Sequence, residues 1–124
     1  MARLFLAIAS ILGALSVAGG AFGAHALKGK LTESALGSFE TGVRYQMYHA
    51  IALLVVALMA AQYPAVKNLT IAGWCFVAGT VLFSGSLYGL SLMGIKALGP
   101  VTPLGGVAFI AGGICLALAS GKLV

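Results

Sequence analysis

Four long apolar runs, at about 4–27, 43–62, 69–93 and 103–121, constrain this chain more than any other feature. Each supplies the roughly 20 residues, at about 1.5 Å of helical rise apiece, that crossing a bilayer core requires. The runs are continuously apolar and about twice as long as a barrel strand, which selects helices over a β-barrel. Only 7% of the residues are charged, against about 25% in a soluble domain, so no water-facing shell can be built. The expected fold is all-α: a polytopic membrane protein, one four-helix antiparallel transmembrane bundle over residues 1–124, with both termini on one side.

Turn chemistry punctuates the runs. Pro64 closes the second, Gly99-Pro100 turns into the fourth, and Thr102-Pro103 reads as an N-cap followed by proline at the first helical position. Arg3 before an apolar stretch ending in GAFGAHA has the outline of a signal peptide. The run is longer than a signal h-region, however, and a retained first span is expected. Between the first two spans, Leu31, Ala35, Phe39 and Val43 recur every four residues while Glu33, Glu40 and Arg44 fall elsewhere. That amphipathic segment suits the membrane surface before a turn into the second span, with Glu40 and Arg44 as an i, i+4 pair.

The net charge of +5 comes from seven scattered basic residues, which suit headgroup anchoring and exclude a nucleic-acid patch. Membrane lipid is the partner they imply. Cys75 and Cys115 sit inside apolar runs without a CxxC motif, which supports neither zinc nor covalently attached haem. No G-x-S-x-G, H-E-x-x-H or phosphate loop occurs and neither carboxylate falls inside a span, so no catalytic residue and no metal ligand is nominated, and a non-enzyme is expected.

Small residues four apart mark helix-packing seams: Gly19 with Gly23, Ser16 with Gly20 and Ala24, Gly85 with Gly89, and Gly113 with Ala117. In lipid, close approach over small residues supplies much of helix association. Packing within one chain is the default reading of such seams, with a homo-oligomer or a larger membrane complex as the alternative.

Following the chain up and down the bundle gathers the polar side chains on the side opposite the termini. His25, Arg44, Tyr45, Tyr48, His49, Ser84, Ser86, Tyr88 and Thr102 all fall there. Tyr45, Tyr48, His49 and Ala52 share one helical face, expected to look inward because an unpartnered polar group in lipid is costly. The leading reading is an interhelical polar layer that holds the bundle or binds a lipid headgroup or small ligand. No cofactor is favoured. The alternatives are a haem or other redox subunit, using His25 and His49 at similar depth on adjacent spans, and a minimal oligomeric transporter.

The stretches GAFGAHAL at 20–27, FETGVRYQMYHA at 39–50, FSGSLYGL at 83–90 and LGPVTPLGG at 98–106 together resemble the YgdD-like family of small bacterial inner-membrane proteins, with mitochondrial-type relatives in animals. The resemblance covers nearly the whole chain and implies a multi-pass protein of the bacterial plasma membrane without an assigned activity. Its motifs add Glu40 and Gln46 to the candidate residues and give none of them a role.

Overall fold

In a computed structural model, which describes residues 1–123, four helices are long and apolar enough to cross a membrane. Helix α1 runs Ala2–Leu27, α2 Glu33–Gln62, α3 Lys67–Met93 and α4 Val101–Ser120. They follow one another antiparallel: α1 lies on α2, α2 on α3 and α3 on α4, while α1 and α4 stand apart on the outside of the bundle.

The second helix begins ten residues before the apolar run it contains. Thr32 caps it, its hydroxyl accepting the Ala35 amide at 3.1 Å, and Glu33 occupies the first turn, where a carboxylate opposes the positive end of the helix dipole. The amphipathic segment is therefore the first part of one unbroken 30-residue helix. The turn expected between that segment and the second span does not exist, and the pairing of α2 with its neighbours shifts accordingly.

Within α2 the buried positions Phe39, Val43, Gln46, Ala50, Leu53, Ala57 and Ala60 alternate in steps of four and three, the seam of a left-handed helix pair. Ala50 lies opposite Gly13, Val43 opposite Gly20 and Phe39 opposite Gly23, at 4.0, 3.4 and 3.0 Å from the β-carbon that each glycine lacks. Phe5, fully buried, seats its ring over Gly73 and meets Trp74 edge-on at 5.3 Å. Phe76 fills the gap at Gly112, and Phe109 the gap at Gly79. Large rings set into glycine gaps provide the dispersion contact that replaces a hydrophobic drive in lipid.

Two helices carry a π-helical segment, Ala18–Gly23 in α1 and Thr80–Ser84 in α3. Gly94, at φ 66°, ends α3 in the left-handed conformation that glycine adopts without penalty. Helix α4 starts at Val101 with Pro100 as its N-cap, so Thr102 is not the cap the sequence suggested; its hydroxyl is engaged elsewhere.

Candidate functional site

The polar side chains of α2 divide by face. Gln46, 5% exposed, sits on the buried seam near the middle of the helix. Its amide nitrogen donates to the Leu12 carbonyl of α1 at 2.9 Å, and its amide oxygen accepts the Tyr88 hydroxyl of α3 at 2.6 Å. The Leu12 carbonyl also accepts the buried Ser16 hydroxyl at 2.8 Å. One side chain thus ties three helices. Gly42 makes the approach of α3 feasible, because a β-carbon there would stand 2.9 Å from the Tyr88 ring.

Two further joints lie nearer the end of the bundle where α2 begins. Ser84, at the end of the π segment of α3, donates to the Gly42 carbonyl of α2 at 2.6 Å. Ser86 donates to Phe83 O at 2.8 Å, so its own oxygen is left to accept from Thr102 of α4 at 2.5 Å. Ser84 therefore serves the α2 side of α3 and Ser86 the α4 side. Among the described residues, no buried side-chain nitrogen or oxygen lacks a hydrogen-bond partner. The interior polar groups are closed upon one another.

The face expected to look inward is only partly enclosed. Tyr48 is 55% exposed and Tyr45 38%, while His49 is half-buried. His49 lies flat on Phe109 of α4, with ring centroids 3.5 Å apart and planes 5° from parallel, and its Nδ1–H donates to the Tyr45 carbonyl at 2.8 Å. Tyr45 packs against Phe83 at 4.7 Å. Tyr45 and His49 join an aromatic cluster between α2, α3 and α4, and Tyr48 stands at its edge.

Several expectations are corrected here. His25 is exposed, and on the α1–α2 register it lies beside the first turns of α2, roughly 16 Å along the axis from His49 at helical rise. The two imidazoles are not at similar depth and do not oppose one another, so the paired-histidine haem arrangement has no geometry here. The polar layer is not confined to one end either, because Gln46, His49, Ser16 and Thr80 lie near the middles of their helices. The early start of α2 accounts for the separation of the histidines and for the mid-helix positions of Gln46 and His49, whereas Ser16 and Thr80 stand at mid-span in α1 and α3 wherever α2 begins. Glu40 and Arg44 are exposed, and the Arg44 guanidinium donates to Thr41 Oγ1 at 3.3 Å.

Among the small residues, Gly19, Gly20 and Gly23 face α2 and Gly89 lies under Leu98. Gly85 and Gly113 face open space and Ala117 is exposed, so these three do not form seams inside the chain. Thr80 is a buried polar residue that the sequence reading did not bring forward; Ser16 entered it only as a small residue four before Gly20, and Gln46 only through the family motifs, although the four-three alternation through Gln46 is visible in the sequence. Among the described residues no group of three or more His, Cys, Asp or Glu side chains is placed to hold a metal ion.

Residues 19–106 match the family described as Protein of unknown function (DUF423). The chain is 48% identical to the UPF0382 membrane protein YwdK of Bacillus subtilis, over 97% of this chain and 98% of that protein. It is 43% identical to the UPF0382 membrane protein SAB0533 of Staphylococcus aureus, over 97% of both, and 41% identical to SH2409 of Staphylococcus haemolyticus, over 98% of both. No solved structure matches it.

Proposed function

The chain belongs to the DUF423 family of membrane proteins, and from that membership and the closed interior we propose a structural or accessory protein of the bacterial plasma membrane with no catalytic activity. Residues 1–124 act in this reading as one transmembrane domain. The narrower kinship with YgdD-like proteins and their mitochondrial-type animal relatives, suggested by the motifs at 20–27, 39–50, 83–90 and 98–106, belongs to the same reading.

One observation carries it: Gln46 engages both ends of its amide with Leu12 and Tyr88, and among the described residues no buried side-chain nitrogen or oxygen is left without a partner. A transporter needs charged groups or broken helices around a cavity, and the interior here is filled by rings seated on glycines. Purified protein reconstituted into vesicles should pass neither protons nor small solutes above the level of empty vesicles, and should show no Soret band after expression with haem supplied. A saturable flux abolished by Gln46→Leu, or a Soret band lost in His49→Ala, would overturn the proposal.

A further inference from the structure

We propose that the outer seam between α1 and α2 is a binding furrow for a phospholipid whose headgroup carries both a phosphate and a primary ammonium, as phosphatidylethanolamine does. The proposal is independent of the closed joints in the interior.

The seam holds two grooves. One, of about 290 Å3, runs between Gly13, Ala14 and Val17 of α1 and Ala50 and Leu54 of α2. The other, of about 210 Å3, lies between Gly20 and Ala24 of α1 and Phe39 and Val43 of α2, with Glu40 and Arg44 at its rim. Glu40, Arg44, Met47, Ile51 and Leu54 follow one another in steps of four and three along a single face of α2, so the grooves share a wall. The α1 wall is built of glycine and alanine for most of its length and leaves the furrow open.

From Glu40 to Leu54 the furrow extends about 21 Å at helical rise, enough for a headgroup and one chain reaching through its leaflet's share, about 15 Å, of the hydrocarbon core. The order of chemistry along it matches one class of lipid. The deep part is apolar except for Ser10, whose hydroxyl donates to the Leu6 carbonyl of its own helix at 2.8 Å. Arg44 comes next, and Glu40 lies one helical turn, about 6 Å, farther toward the end of the bundle. Acyl chain, phosphate and ammonium are met in that sequence along such a phospholipid. Arg44 has donors free for a phosphate, since its contact with Thr41 uses one of the five N–H groups of a guanidinium. The Glu40 carboxylate then accepts from the N–H groups of the ammonium, whereas a choline headgroup offers a bulkier cation without an N–H and an anionic glycerol headgroup offers no cation at all.

Native mass spectrometry of the detergent-extracted protein, with equal amounts of phosphatidylethanolamine, phosphatidylcholine and phosphatidylglycerol, tests this directly. One phosphatidylethanolamine should be retained per chain in preference to the other two. Glu40→Gln should erase that preference, a loss of about fivefold for one exposed charge pair. Arg44→Gln should weaken all three lipids, and Ala14→Phe should remove the adduct by filling the furrow. All three positions are exposed, and unchanged melting temperatures identify folded variants. Equal retention of the three lipids, preference for phosphatidylglycerol, or indifference to Glu40→Gln or Arg44→Gln would each overturn the proposal.

Discussion

Tyr88 of α3 donates its hydroxyl to the amide oxygen of Gln46 of α2 at 2.6 Å, across a gap held open by Gly42. The same amide reaches α1 through its nitrogen. A glutamine inside an apolar run would ordinarily mark a site, because an amide without partners in lipid is costly. Here both of its ends are occupied by the protein itself, which turns the residue into a three-helix clasp.

The glycines separate into those that permit contact and those that face space. Gly105→Ala would place its β-carbon 2.7 Å from the Phe83 Cα, backbone that has no rotamer to give way. The expected loss is about 1–3 kcal/mol from overpacking between α3 and α4. Gly113→Ala meets nothing within 4 Å and should stay within about 0.5 kcal/mol of wild type. Denaturation by increasing fractions of anionic detergent in mixed micelles measures both; equal midpoints for the two variants would contradict the α3–α4 packing.

The register of α1 on α2 can be read by cross-linking. In a background with Cys75 and Cys115 replaced by alanine, Gly13→Cys with Ala50→Cys puts the two β-carbons 4.0 Å apart, within the disulfide range of about 3.5–4.5 Å. That pair should oxidise readily in membranes. His25→Cys with His49→Cys should not, and a bond between them would restore the paired-histidine geometry.

The hydroxyl joint between α3 and α4 should be weaker than the glutamine clasp. Thr102→Val removes the donor to Ser86 but leaves Ser86 bonded to its own helix. The expected cost is about 0.6 kcal/mol, typical of single interhelical bonds in lipid, and the same denaturation measures it. A loss above that of Gln46→Leu would reverse the ranking.

Much of the fold was legible because bilayer thickness dictates span length and glycine-proline chemistry dictates turns. The start of α2 was misread because Glu33, Glu40 and Arg44 look like a surface stretch, although Thr32 followed by an acidic first turn is itself a helix-start signal. That ten-residue difference moved His49 from the first part of its span to the middle of its helix and separated it from His25. The face of α2 was legible too: the steps of four and three from Phe39 through Gln46 to Ala60 mark the seam, whereas Tyr45 and Tyr48 drew attention by residue type. The π segment of α3, which ends at the Ser84 that bonds α2, has no comparable signature.

The central claim, that the interior polar groups serve one another, rests on Gln46 and Tyr88. A double-mutant cycle with Gln46→Leu, Tyr88→Phe and the combined variant, followed by unfolding free energy in mixed micelles, isolates their coupling. The structure predicts a coupling of about 1 kcal/mol, with the double variant less destabilised than the two single losses added together. Strictly additive losses would mean that the two side chains do not act on each other, and would contradict the closed interior.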